Sequence, residues 1–262
     1  MPQPMLLCMV GLLGLAVGSF LNVVIYRVPR GESLVRPGSH CPRCRSEVRN
    51  RHNIPVFGWL LLRGRCADCA EPISARYPLV EAGTAALFVA VAAKFGLGWQ
   101  LPAYLYLAAV AIALAAIDID VLRLPDAIVL PSYGVALALL VPAMIAEHSW
   151  AAGLRGLIAA AALYALYFAL AVIHPGMGFG DVKLALLLGL YLGWLGWSSL
   201  AVGAFAGFLL GGLAGAALLI ARRADRKTRI PFGPYMLAGA FLAVFAAAPI
   251  THWYTSLLVH TA

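Results

Sequence analysis

Charge is scarce in this 262-residue chain: Asp, Glu, Lys and Arg make up 11% of it, against 63% hydrophobic residues. An average soluble domain is about a quarter charged. A soluble fold of this length would therefore lack the polar surface it needs, and lipid must be the solvent for most of the chain. Acidic residues are scarcer still, eleven beside nineteen Lys and Arg. The resulting net charge of +8 does not read as nucleic-acid binding. The basic residues fall in a few segments between apolar runs, as membrane topology requires, not along one polar face. A cleavable signal peptide is not evident: residues 5–24 are apolar, but no basic stretch precedes them and no small-residue cleavage site clearly follows.

What is there in quantity is apolar helix. Runs long enough to span lipid, about 20 residues each, occur at 5–26, 78–96, 101–117, 127–147, 154–173, 182–197, 199–221 and 231–249. The expected fold is an all-α polytopic membrane protein of about eight transmembrane helices with a small cytoplasmic zinc-binding loop domain. Its expected divisions are a first helix (1–26), a tetracysteine module (27–77) and a seven-helix core (78–262). The run at 182–197 is short and Gly-rich, with a tight join to the next.

Ten of the nineteen basic residues lie in 27–77, and Arg222, Arg223, Arg226, Lys227 and Arg229 form a second cluster. The positive-inside rule puts both clusters in the cytoplasm. Six runs lie between them, an even number, so both can share a side. Both termini are then expected in the periplasm.

Cys41-Pro-Arg-Cys44 and Cys66-Ala-Asp-Cys69 are two C-x-x-C pairs separated by 21 residues. That is close to the spacing of a four-thiolate zinc site. A cytoplasmic segment keeps its thiols reduced, and about 50 residues need a staple to fold securely. Zinc is favoured over a redox dithiol pair or a metal-free loop, with Arg43, Arg45 and Arg65 helping to hold the anionic centre. Cys8, on the first apolar run, reads as a small packing residue.

Five acids touch the ends of apolar runs: Glu81, Asp118, Asp120, Asp126 and Asp181. Carboxylates at membrane depth are costly and functional by default. Asp126 follows Pro125 and opens an apolar run, so a helix start explains it. Glu81 has Arg76 within reach. Asp118 is harder to explain, because it closes the third run, and a helix C-terminus repels anions. Asp181 follows Gly176, Gly178 and Gly180, which let the backbone take unusual angles and approach another segment closely. The expected topology puts Asp118 and Asp181 at the cytoplasmic face. Two carboxylates brought together share a proton, so one can activate water while the other protonates a leaving amine. Asp120 is the rival partner, but residues two apart do not share a helix face.

The whole series of motifs resembles the type IV prepilin peptidases, Gly-x-Gly-Asp membrane aspartyl proteases. It comprises Gly18-Ser-Phe-Leu-Asn22, the two cysteine pairs, Asn53-Ile-Pro55, Leu62-Arg-Gly64-Arg-Cys66 and Ile73-Ser-Ala-Arg-Tyr77-Pro-Leu-Val-Glu81. It continues with Ile117-Asp118-Ile-Asp120, Leu124-Pro125-Asp126, Gly178-Phe-Gly180-Asp181-Val-Lys183 and Ile230-Pro-Phe-Gly-Pro234-Tyr. The resemblance implies catalysis by Asp118 and Asp181, with Gly178, Gly180 and Lys183 supporting that segment. It implies cleavage of prepilins or type II secretion pseudopilins after a Gly, at the cytoplasmic face of the bacterial inner membrane. It also implies N-methylation of the new N-terminal residue, usually Phe, from S-adenosylmethionine, with Gly64 associated with methyl transfer. Two departures bear on that second activity: a short link between Arg30 and Val35, and His52 where an aromatic residue is frequent. The other readings are a peptidase whose zinc loop only docks substrate, and an ion-coupled transporter or assembly scaffold. A transporter would be expected to show paired broken helices, and only one Gly-rich break is present. No Gly-rich strand–turn–helix pattern marks a nucleotide site in 27–77.

Overall fold

The computed structural model describes residues 2–41, 43–173, 177–222 and 228–260. Pro42, Gly176 and the basic residues Arg223, Arg226 and Lys227 lie outside the described residues. Nine α-helices are formed among those described: α1 (Gln3–Arg27), α2 (Phe57–Leu61), α3 (Arg76–Phe95), α4 (Leu101–Val121), α5 (Asp126–Ala146), α6 (Trp150–Ile173), α7 (Phe179–Leu195), α8 (Trp197–Ile220) and α9 (Gly233–His260). All eight apolar runs are helices, and α2 is one short turn within the cysteine module. Seven of the nine are long and apolar enough to cross a membrane. The exception among the long ones is α7, at 17 residues.

The helix ends differ from the expected ones in ways that matter. The fourth helix does not close at Asp118 but runs one turn further, to Val121. The seventh begins at Phe179, so Asp181 stands in its first turn and not in a glycine loop. The last helix continues through Pro249 to His260, with the hydroxyls of Thr251 and Thr255 donating to carbonyls one turn back.

The chain forms two compact units, 1–113 and 114–262. In the first, α1 lies against α3 with almost nothing between the backbones. A Cβ on Gly14 would come within 2.6 Å of the Ala85 Cα, and one on Gly18 within 2.7 Å of the Glu81 Cα. The Asn22 amide donates to the Tyr77 carbonyl at 3.1 Å, fastening the end of α1 to the start of α3.

In the second unit, α7 is the core. Twelve of its seventeen residues are buried, which is what a helix apolar on all sides does when protein surrounds it. Gly189 brings it against Ala160 of α6, where a Cβ would lie 2.6 Å from the Ala160 Cα. Arg155 of α6 donates to the carbonyls of Gly193 and Trp194 at 2.7 Å each, placing a cation on the last turn of α7, where the helix dipole favours it. Gly196, at φ 151°, is the single residue between α7 and α8; the expected tight join needs a residue without a Cβ.

Candidate functional site

Asp118 and Asp181 are two of the few charged side chains that the second unit buries, at 5% and 8% exposure. Asp118 reaches its place from the last turn of α4. Its Oδ2 accepts the N–H of Gly233, the first residue of α9, at 3.0 Å. That donor answers the question posed by an anion at a helix C-terminus: the N-terminus of a second helix meets it. Asp181 comes from the first turn of α7, where its backbone N–H bonds to the Gly178 carbonyl at 3.1 Å.

Leu124, in the short link between α4 and α5, meets the starts of both α7 and α9. A Cβ on Gly180 would sit 3.0 Å from the Leu124 Cβ, and one on Gly233 3.3 Å from its Cδ2. The same atom on Gly233 would be 2.9 Å from Asp118 Oδ2. The glycines at 180 and 233 therefore allow the starts of α7 and α9 to close on one leucine, with Asp118 bonded to the start of α9 and Asp181 one residue after Gly180 in α7. Behind them, Tyr167 stacks on Phe208 with centroids 5.2 Å apart, and Phe232 lies beside both.

Asp120 is exposed where Asp118 is buried, in keeping with a two-residue spacing that puts them on different helix faces. Asp126 opens α5, as expected, but also does more. Lys183 Nζ binds both of its oxygens, at 2.7 and 2.8 Å, tying the start of α7 to the start of α5. Lys183 further lies 5.4 Å from the Phe179 ring, and its carbonyl accepts the Tyr133 hydroxyl at 2.9 Å. Sequence reasoning missed Gly233 as Asp118's donor, the Asp126–Lys183 pair and the aromatic group around Tyr167. The motif at 230–235 was the only signal for the first of these.

The first unit brings the other constellation together. Each cysteine pair sits in the same tight turn. The Cys41 N–H bonds to the Ser46 carbonyl and the Arg45 N–H returns to Cys41; the Cys66 N–H bonds to the Glu71 carbonyl and the Ala70 N–H returns to Cys66. The residue after each pair, Arg45 and Ala70, has positive φ. All four sulfurs lie within 4.8 Å of one another, with Cys41–Cys69 at 3.7 Å and Cys44–Cys66 at 3.9 Å. A tetrahedral site with Zn–S bonds near 2.3 Å needs sulfurs about 3.8 Å apart, so this cluster has the size of a zinc site.

The electrostatics agree with that fit. The Ser46 hydroxyl holds the Cys44 thiol down to about 6, and the Cys69 backbone N–H lowers Cys66. The Glu71 N–H also pulls Cys69 down, yet burial and the three neighbouring sulfurs outweigh it and push that thiol up to about 12. Four thiols this close do not all ionise without a cation among them. Arg43 does not serve the sulfurs as expected, because its guanidinium is taken by Glu71 at 2.8 Å. A second pair between the turns, Arg49–Asp68 at 2.9 Å, completes the clasp. Cys8 is exposed on α1 and so is not the packing residue expected. Gly64 has φ +69°, and a Cβ there would meet the Trp59 indole at 2.8 Å. The buried Glu81 accepts the Val56 N–H at 2.6 Å.

Comparison with known proteins agrees with the two-part organisation. Residues 12–95 match the bacterial peptidase A24 N-terminal domain, and residues 105–258 match the type IV leader peptidase family. Among similar proteins, the prepilin leader peptidase/N-methyltransferase of Aeromonas hydrophila is 38% identical, with 94% of this chain and 92% of that protein aligned. The protein of the same name from Pseudomonas aeruginosa is 37% identical, over 97% of this chain and 94% of its own length. The one from Neisseria gonorrhoeae is 36% identical, over 94% and 92%. No solved structure matches the chain.

Proposed function

The chain belongs to the type IV leader peptidase family, and from that premise we propose that Asp118 and Asp181 cleave the leader from type IV prepilins or type II secretion pseudopilins. Family membership leaves the transporter and scaffold readings without support. The observation that supports the assignment is that one compact unit buries two carboxylates by more than nine-tenths, at helix ends whose glycines, Gly180 and Gly233, both meet Leu124. One takes a proton from water as its oxygen adds to the scissile carbonyl. The other gives a proton to the nitrogen as the C–N bond breaks. The Gly233 N–H fixes the Asp118 oxygen that faces α9, and the Lys183–Asp126 pair holds the α7 segment carrying Gly178, Gly180 and Asp181.

The relatives' names join this activity to N-methylation. On that ground the cysteine unit is the methyltransferase half, using S-adenosylmethionine, with Cys41, Cys44, Cys66 and Cys69 holding a structural zinc. The positive-inside reading of the basic residues of 27–77 supports a cytoplasmic position for this module and for cleavage at the inner membrane, and, with α7 counted as a span, both termini in the periplasm. Cleavage of a prepilin in detergent tests the aspartate pair. Asp118→Asn and Asp181→Asn are each expected to lose about a hundredfold to ten-thousandfold in rate, and Asp120→Asn to keep most of it. Full activity in either of the first two removes the pair assignment, and complete loss in the third moves it to Asp120.

A further inference from the structure

A cavity of about 630 Å³ opens in the first unit where α1 ends, α3 begins and the cysteine module lies over both. Small-molecule sites are commonly about 300–1,000 Å³. Its wall is acidic in a basic chain. Five of the eleven acidic residues line it: Glu32, Glu47, Asp68, Glu71 and Glu81. Of the ten arginines in 27–77, only Arg27 and Arg49 do. Both are already engaged. Arg27 donates to the Ser33 and Pro37 carbonyls at 2.9 and 2.7 Å, and Arg49 pairs with Asp68. Arg43 takes Glu71. Glu32, Glu47 and Glu81 are left facing the cavity with no cation against them among the described residues.

Glu81 is the most telling of the three. It is 8% exposed, and the Val56 N–H occupies Oε2, while Oε1 accepts no hydrogen bond from a described residue. Its remaining oxygen is therefore available to whatever enters the cavity that Glu81 lines. The same cavity has aromatic side chains in its wall. Trp59 is held by its Nε1 bond to the Ile73 carbonyl at 3.0 Å and packs over Gly64, while Tyr77 lines the cavity from the first turn of α3. Uncompensated carboxylates next to π faces recognise an organic cation that carries a planar ring.

Resting on the methyltransferase half of the proposed function, we propose that this cavity is the S-adenosylmethionine site. The Glu32, Glu47 and Glu81 carboxylates balance the sulfonium and ammonium charges, and Trp59 is a stacking wall for the purine. The transfer balances within it. The new N-terminal amine first gives up its extra proton to a carboxylate. Its nitrogen lone pair then forms the N–CH₃ bond while the C–S bond breaks, and that electron pair stays on sulfur. The positive charge passes from sulfur to the methylated nitrogen, leaving S-adenosylhomocysteine as a neutral thioether. The acidic wall then no longer attracts the sulfur.

Calorimetric titration of the full-length, zinc-loaded chain in detergent tests this with S-adenosylmethionine and S-adenosylhomocysteine as probes. Wild type is expected to bind the sulfonium form about tenfold more tightly at low salt. Glu47→Gln and Glu81→Gln are each expected to narrow that ratio at least about threefold, chiefly by weakening the sulfonium form. Retained zinc reports that the module is folded. Should Glu81→Gln lose zinc, the exposed Glu47→Gln decides. An unchanged ratio in zinc-retaining variants, with wild type still binding, overturns the cavity assignment alone. Wild type that cleaves prepilin but binds neither probe removes the methyltransferase reading and the proposal with it.

Discussion

The two units hold their polar groups by opposite means. In the second, Asp118 and Asp181 stand in the end turns of long helices. Packing of apolar helices positions them: α7 buried on nearly all sides, Gly189 against Ala160, Gly180 and Gly233 against Leu124. In the first, the residues between α1 and α3 are mostly exposed. Two turns there are joined by ion pairs between partly exposed side chains and by four sulfurs. Exposed ion pairs are worth about 0–1 kcal/mol each, too little to order such a segment. The comparison teaches that the buried aspartate pair is held by the fold itself, whereas the cysteine module has little to order it beyond what four clustered sulfurs could hold.

Metal removal separates the two most sharply. Chelation, or Cys41→Ser with Cys66→Ser, is expected to unfold the module, because metal-binding energy is folding energy in so small a segment. The cleaved product should then carry less than about a tenth of its normal methyl groups, while cleavage stays within about twofold. Mass spectrometry of the product reads both at once. Equal loss of the two activities would end the contrast. So would a purified protein holding less than about half an equivalent of zinc and still methylating.

Gly233→Ala probes the packed site by the smallest possible insertion. Its backbone N–H remains to bind Asp118, but the added Cβ would stand 2.9 Å from Asp118 Oδ2 and 3.3 Å from the Leu124 Cδ2. The carboxylate has to move by a few tenths of an ångström. Misplacement of about 1 Å costs on the order of a hundredfold, so a loss of about tenfold or more in kcat/KM is expected, with zinc content unchanged. Wild-type cleavage in this variant would mean that the Asp118–Gly233 contact does not set the catalytic geometry.

Seven of the eight long helices were legible because lipid demands continuous apolar runs, and α7 because burial within protein demands the same. The four cysteines were legible because their spacing already encloses a metal-sized volume. Asp126 was legible as a helix start for local reasons. What could not be read is where distant segments meet. Gly233 lies 115 residues from Asp118, and Lys183 lies 57 from Asp126; no periodicity reports such a return. The true start of α7 was hidden for another reason. Glycines depress helix propensity, so the segment reads as a loop, while the tertiary contact that needs the missing Cβ atoms keeps it helical. The cavity in the first unit was invisible in the same way, since its acids are scattered from Glu32 to Glu81.

Lys183→Met tests how much of the packed site rests on charge. Lys183 contacts Asp126, not either buried aspartate, and the pair is partly open, at 24% and 56% side-chain exposure. Its removal therefore costs no more than about 1 kcal/mol. Met keeps the apolar stem against Phe179, so the position of α7 should hold through packing. Cleavage is expected to fall by no more than about fivefold. Asp126→Asn should do the same, and the double variant should be scarcely worse than either, because the two changes remove one interaction. A loss as large as that of Asp181→Asn would place the Lys183 ammonium at the reacting atoms. The second unit would then depend on a charge at its surface and not on packing alone.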